Sequence, residues 1–133
     1  MRIMGLDVGK RRIGIAITDP LAITARPHST IERGKDAPAR IEAIVTELQI
    51  GKIVVGLPLH LSGAEGEQAQ DVRKFVSKLR PHVTIPIEFR DERLTTVEAE
   101  YRLSDRRGDW RKRKKKIDAV AASVLLEDYL RER

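Results

Sequence analysis

The stretch RIMGLDVGKRRIGIAIT, residues 2–18, decides the fold of this chain. Apolar residues occupy both faces of its first segment, residues 2–8, a pattern typical of a strand that is covered on both sides. A short turn, residues 9–12, leads to a second apolar segment, residues 13–18. We expect the two strands to pair antiparallel, so the stretch predicts an opening β-hairpin.

The rest of the chain alternates between strand and helix patterns. After the hairpin we expect an edge strand over 22–31 that contains Pro27, a helix over 36–48 capped by Asp36, a strand over 52–57, a helix over 69–79 that stops at Pro81, a strand over 85–90, a helix from Thr95 to Arg107 that opens with a capping box, and a last helix from Ile117 with Asp118 in its first turn. This order indicates an α/β fold, and we expect residues 1–133 to form a single domain.

Length and composition indicate the size of the core and the cellular compartment of the protein. A chain of 133 residues is long enough to bury roughly two thirds of its unfolded surface in one core. It contains no cysteine, so disulfides and thiolate zinc sites are excluded, which favours a reducing compartment. We find no stretch with the length of a signal peptide or a membrane span. We therefore expect a cytoplasmic protein that does not bind membranes.

Acidic residues stand where several apolar elements end or begin. If the strands that carry Asp7 and the pair Asp91 and Glu92 are neighbours, and the last helix crosses them, three carboxylates meet at one end of the sheet. Two such charges about 4 Å apart repel by roughly 4 kcal/mol at an effective dielectric constant of about 20. Oxygen ligands of this kind suit Mg²⁺ or Mn²⁺, and two such ions can support phosphodiester cleavage.

Each acidic residue also has a purely structural interpretation. Asp7 could cap a turn on Lys10 or Arg11, and Asp118 could complement the N-terminus of the last helix. Asp91 and Glu92 could form salt bridges with neighbouring arginines. The functional interpretation gains its weight from the three segments taken together.

Positive charge is concentrated in residues 106–116. This stretch holds eight basic residues and one acid, a net of +7, whereas the whole chain carries +6 and the remainder is therefore −1. Trp110, the only tryptophan, lies within it and could stack on an unpaired base while the basic residues meet phosphates. A solvated loop that aids solubility is the alternative.

Four motifs in order resemble the YqgF/RuvX family, the pre-16S rRNA nucleases related to Holliday junction resolvases. The motifs are GLDVGKRRIG at residues 5–14, VVGLP at residues 54–58, DERLTT at residues 91–96 and DAVAA at residues 118–122. The resemblance runs from Ile3 to Leu130. It implies an RNase H-like fold with a mixed central sheet and helices on both faces, and a cytoplasmic bacterial nuclease that uses a divalent metal in ribosome biogenesis.

The resemblance also implies which residues act. By motif position the catalytic acids would be Asp7, Asp91 or Glu92, and Asp118, with Asp7, Glu92 and Asp118 as ligands of Mg²⁺ or Mn²⁺. Glu92 is favoured within the pair, although strand alternation places Asp91 on the face of Ile85, Ile87 and Phe89, so the choice stays open. The residues expected to contact nucleic acid are Lys10, Arg11, Arg12, Arg93, Trp110, Arg111, Lys112, Arg113, Lys114, Lys115 and Lys116.

One loop departs from the family pattern. After residues 56–58 the family often shows Asp-Gly-Ser, whereas this chain has Ser62-Gly63-Ala64. A catalytic or metal role for this loop is therefore not expected. Gly63 and Gly66 could still bring backbone amides near a phosphate, or simply form a turn before a helix.

Several functions fit these observations. The first is an endonuclease on precursor 16S rRNA, and the second a resolvase of four-way DNA junctions, which would need a homodimer rather than a monomer. The hairpin turn also resembles the phosphate-binding turn of actin-like ATPases, but those proteins close two lobes on a nucleotide. A nucleic-acid-binding module without catalysis is the remaining alternative.

Overall fold

The computed structural model describes residues 1–92 and 110–132. In the final helix the side chains are described from Asp118 onward. The helix predicted from Thr95 to Arg107 and the predicted nucleic-acid contact Arg93 lie outside the described residues. The described elements are β1 Arg2–Val8, β2 Arg12–Thr18, β3 Ala25–Glu32, α1 Ala37–Leu48, β4 Ile50–Leu57, α2 Glu67–Leu79, a 3₁₀ turn Arg80–His82, β5 Ile87–Asp91 and α3 Trp110–Glu132.

The strands form one mixed sheet in the order β3-β2-β1-β4-β5. β1 pairs antiparallel with β2, and Asp7 lies opposite Gly14 in that register. β1 also pairs parallel with β4, which in turn pairs parallel with β5. The predicted opening hairpin is therefore confirmed, and β1 is the central strand.

The two faces of the sheet differ in the size of their side chains. One face packs against α1 and α2 and carries bulky residues such as Leu6, Ile15 and Val55 in the larger core. The other face packs against α3 and carries small residues, among them Gly5 and Gly14. The smaller core on this face joins the sheet to the helix through Ile3, Ala16, Ala22, Val54, Ala122, Leu125 and Leu126.

Gly14 allows α3 to lie directly on the hairpin. A methyl group at Gly14 would come within 2.0 Å of the carbonyl oxygen of Asp118, and backbone atoms cannot move aside as a flexible side chain can. Because Gly14 lies opposite Asp7 in the β1–β2 register, this contact brings the backbone of Asp118 above the strand pair that carries Asp7.

Several element boundaries and one helix cap differ from the sequence prediction. β3 begins at Ala25 because the carboxylate of Asp19 accepts hydrogen bonds from the backbone N–H groups of Ile23 and Thr24, which forms a turn there. Asp36 occupies the N-cap position of α1, but its side chain makes no capping hydrogen bond. β5 begins at Ile87 rather than residue 85.

The largest difference concerns the final helix. It already includes Trp110–Lys116, which the sequence analysis placed before a helix starting at Ile117. Arginine and lysine are good helix formers, and residues 110–116 contain neither glycine nor proline. Asp118 therefore lies in the third turn of the described helix, so the interpretation of Asp118 as a residue of the first turn is wrong.

Candidate active site

Asp7 lies near the end of the central strand, on the face that α3 covers. Strand alternation puts it on the side of Ile3, which belongs to the smaller core. Its side chain is half-buried. A carboxylate removed from water in this way needs a partner, and the neighbouring elements supply two more carboxyl groups.

Glu92 follows β5 and turns toward Asp7. Its backbone N–H donates to the carbonyl of Leu57 at 3.1 Å, which extends the β4–β5 pairing beyond the last strand residue. Its carboxyl group packs over Gly56, where an added methyl group would meet the carboxyl carbon at 2.7 Å. The side chains of Glu92 and Asp7 are hydrogen-bonded to each other. The missing side chain at Gly56 therefore makes room for the carboxyl pair.

Of the two adjacent carboxyl groups, Glu92 is protonated and Asp7 is ionised at neutral pH. Burial raises the pKa of Glu92 to about 9, and the negative charge of Asp7 and the hydrogen bond with it act in the same direction. Glu92 therefore holds a proton at neutral pH and donates it toward the carboxylate of Asp7. Two carboxyl groups in this arrangement do not both ionise at neutral pH without added positive charge.

Asp91 points away from this pair. It shares a strand face with Ile87 and Phe89, which pack against the larger core on the opposite side of the sheet from Asp7. Its side chain is exposed. Among the two neighbouring acids that the sequence analysis left open, the structure thus places Glu92 beside Asp7.

Asp118 is held close to the hairpin by an arginine. The Nε atom of Arg12 donates to Oδ2 of Asp118 at 3.3 Å, and both side chains are largely covered, with 24% and 15% of their surfaces exposed. Asp118 thus reaches the Asp7 end of the sheet, but its carboxylate is paired with a cation. Within the described parts of the chain, no group of three or more Asp, Glu, His or Cys side chains has a geometry that could hold a metal ion.

The predicted nucleic-acid contacts fall into three groups. Lys10 and Arg11 are exposed in the turn between β1 and β2, whereas Arg12 is folded back onto Asp118. Trp110, Arg111, Lys112, Arg113, Lys114, Lys115 and Lys116 belong to α3. Arg93 lies outside the described residues.

A second arginine, Arg33, lies beside the turn and carries no motif in the sequence. Arg33 donates to both carboxylate oxygens of Asp71, at 2.7 and 3.0 Å, and to the carbonyl of Gly9 at 2.9 Å. It thus ties the hairpin turn to α2. Its guanidinium also lies over the ring of Phe75, with a distance of 5.4 Å to the centroid. No local motif marks this contact, because its partners are 24 and 38 residues away in the chain.

Comparison with solved structures identifies the fold. The RuvC resolvase of T. thermophilus bound to a Holliday junction superposes with a TM-score of 0.58 at 12% identity, covering 98% of this chain and 93% of that one. The fowlpox virus resolvase bound to Holliday junction DNA gives a TM-score of 0.58 at 13% identity, covering 99% and 98%. The protein therefore has the RNase H-like fold of RuvC, with a mixed five-stranded sheet, as the resemblance implied.

Sequence comparison narrows this class to one family. Residues 1–132 match the family described as "RuvX: Holliday junction resolvase". A relative from Roseiflexus sp. is 47% identical over 131 residues, covering 97% of this chain and 93% of the relative. A relative from Thermoanaerobacter pseudethanolicus is 45% identical over 133 residues, covering 98% and 96%. Both relatives carry the name "Putative pre-16S rRNA nuclease", and the chain belongs to the RuvX family.

Among the residues the structure describes, none of the helices is both long enough and apolar enough to cross a bilayer.

Proposed function

We propose that the protein is a metal-dependent endonuclease that hydrolyses phosphodiester bonds in precursor 16S rRNA. The observation that carries this proposal is the half-buried carboxyl pair of Asp7 and Glu92, which a divalent cation would neutralise. The names of the RuvX relatives support the choice of RNA. The same names support a role in ribosome biogenesis.

The chemistry of the donor atoms fits a hard divalent cation. Asp7, Glu92 and Asp118 offer only oxygen ligands, which Mg²⁺ and Mn²⁺ prefer. Asp7 and Glu92 are already adjacent, while Asp118 is held on the hairpin by its pair with Arg12. We assign Asp7 and Glu92 as the principal ligands and Asp118 as the third, and we place Asp91 outside the metal site.

When bound, such an ion lowers the pKa of water and stabilises developing charge on the phosphate and the leaving oxygen. The side chains of this protein prepare that chemistry. Asp7 provides a carboxylate at the end of the central strand, and Glu92 would provide the second after releasing its proton to solvent. Lys10 and Arg11, exposed in the turn beside the site, are positioned to bind backbone phosphates.

The basic part of α3 is the second proposed contact for nucleic acid. Residues 110–116 add six positive charges to a helix whose later turns pack against β2 and β3. Negative charge is favourable near the N-terminal part of a helix, whereas lysine and arginine there oppose the helix dipole. Phosphates placed along this segment would relieve that repulsion.

Cleavage of four-way DNA junctions is a second candidate, favoured by the description of the RuvX family. A junction has two strands to cut at symmetric positions, so this activity requires two sites related by a two-fold axis. Sedimentation at working concentration would show whether a homodimer forms. A strict monomer would count against junction resolution and leave RNA processing unaffected.

The experiment is cleavage of two matched substrates, a precursor 16S rRNA fragment and a synthetic four-way DNA junction, with Mg²⁺ or Mn²⁺. We expect the wild type to cut the RNA and Asp7→Asn to lose the activity. Glu47→Gln is the matched control, because Glu47 is an exposed acid on α1, across the sheet from α3. Cleavage of the junction alone would select the resolvase.

Binding of both substrates without cleavage of either would contradict the proposal and favour a non-catalytic binding module. Tight binding of ATP with Mg²⁺ by calorimetry would instead favour the nucleotide-binding interpretation.

A further inference from the structure

Two arginines contact the turn region between β1 and β2, and their ion pairs differ in geometry. Arg33 grips Asp71 with two short bonds of 2.7 and 3.0 Å. The Nε atom of Arg12 donates to Oδ2 of Asp118 at 3.3 Å, which is long for a charge-assisted hydrogen bond. The Arg33–Asp71 pair, hereafter the clamp, has the geometry of a permanent ion pair. The Arg12–Asp118 pair has the geometry of a contact that can be exchanged for another partner.

The clamp keeps the turn backbone in place while Arg12 changes partner. Arg33 bonds the carbonyl of Gly9, and its own backbone N–H donates to the carbonyl of Arg11 at 2.8 Å. The N–H of Gly9 also donates to the carbonyl of Arg12 at 2.8 Å. The backbone on either side of Arg12 is thus fixed, so that only its side chain has to move to reach a phosphate.

The place of Arg12 explains why an exchange would matter. Its partner Asp118 is the third acid at the end of the sheet that already carries Asp7 and Glu92. With the guanidinium in place, the charge of Asp118 is neutralised by the protein itself. A metal ion at the carboxyl pair would have to compete with Arg12 for this carboxylate.

We propose that Arg12 is an internal counter-ion of Asp118 which a substrate phosphate displaces, so that nucleic acid and divalent metal bind cooperatively. This inference rests on the proposed nuclease function. Arg12 is a positioning residue, because it acts through Asp118. Lys10 and Arg11, exposed beside it, bring a phosphate into reach of the guanidinium.

The coupling has a thermodynamic consequence that does not depend on catalysis. If nucleic acid releases Asp118 for the metal, the metal must strengthen the binding of nucleic acid by the same factor. Removal of Arg12 should take this cation away from Asp118 permanently. The variant should then bind metal tightly without nucleic acid and show less coupling.

The test is a titration of Mn²⁺ in the absence of nucleic acid, with free Mn²⁺ measured by electron paramagnetic resonance. We expect Arg12→Gln to bind Mn²⁺ about tenfold more tightly than the wild type, within the usual range of coupling between sites. Arg40→Gln, which removes an exposed arginine from α1, should behave as the wild type. In an Asp118→Asn background, Arg12→Gln should change the affinity by less than about twofold, since the pair is then already broken.

The reciprocal measurement uses fluorescence anisotropy of a labelled RNA oligonucleotide, with its integrity checked on a gel. Mn²⁺ should strengthen RNA binding by the wild type, and the strengthening should be about tenfold smaller for Arg12→Gln. Equal Mn²⁺ affinity of Arg12→Gln and the wild type would overturn the inference. Equal tightening in the Asp118→Asn background would also overturn it, because the arginine would then act only through its long-range charge.

Failure of the proposed function gives a different result. If the wild type takes up no Mn²⁺, the metal-dependent nuclease and the inference fall together. If Mn²⁺ binds to the wild type and not to Asp7→Asn, while Arg12→Gln leaves the affinity unchanged, only the inference fails.

Discussion

Glu92 shows how a single residue can link the metal site to protein stability. Its pKa is raised from 4.5 to about 9, so the folded protein keeps a proton that the unfolded chain releases above pH 4.5. Stability should therefore fall as the pH rises between these two values. The carboxyl pair costs stability at neutral pH when no metal is present.

Glu92→Gln should remove this cost. We expect the metal-free variant to be more stable than the wild type by on the order of 3 kcal/mol at pH 7, with no gain near pH 4. Urea denaturation in EDTA at pH 4, 7 and 9 measures the difference. A wild type and variant with parallel pH profiles would contradict the assignment of the raised pKa.

Gly14 is the residue on which the approach of the final helix depends. Gly14→Ala places a methyl group against the carbonyl of Asp118, which is backbone and cannot rotate away. We expect a loss of about 1–3 kcal/mol in unfolding free energy, the usual range for overpacking.

Gly51→Ala is the control for this change, because its methyl group meets the side chain of Met1, which can shift. The measurement is the melting temperature of both variants in thermal unfolding, and we expect that of Gly14→Ala to be the lower. Equal melting temperatures would show that the contact between α3 and the hairpin is looser than described.

At the scale of elements, the strands were easier to predict than the final helix. The opening hairpin follows from two apolar runs around a turn, and the structure confirms it. The sequence predicts a start of the last helix at Ile117, because apolar periodicity begins there. The basic residues before it continue the helix without any apolar face, so a search for periodicity alone does not find them.

Some features of the candidate site can likewise be predicted from the sequence, whereas others cannot. Motif order singles out Asp7, Glu92 and Asp118, and strand alternation predicts Asp91 on the face of Ile85, Ile87 and Phe89, which pack against the larger core. The pairing of Arg12 with Asp118 could not be derived, because it joins residues 106 positions apart across a helix-to-sheet contact. Contacts of this kind depend on how the helix packs on the sheet, and no local sequence pattern predicts them.

At the scale of the whole molecule, the uneven charge makes a prediction about salt. If the basic residues of 106–116 and the hairpin turn meet about six phosphates, affinity for nucleic acid should fall by roughly a thousandfold between 50 and 200 mM salt. Anisotropy titrations over this range measure the slope. Neutralising Lys112, Lys114 and Lys115 together should lower the slope of log affinity against log salt concentration by the contribution of about three phosphate contacts. Affinity of the wild type that does not change with salt would exclude phosphate contacts.

The central claim is that Asp7 and Glu92 together hold a divalent cation. Calorimetric titration of Mn²⁺ into the wild type, Asp7→Asn, Glu92→Gln, Asp91→Asn and Glu47→Gln tests it most directly. We expect binding to be lost in Asp7→Asn and Glu92→Gln and retained in Asp91→Asn and Glu47→Gln. Binding that survives in Glu92→Gln and disappears in Asp91→Asn would contradict the site described for this fold.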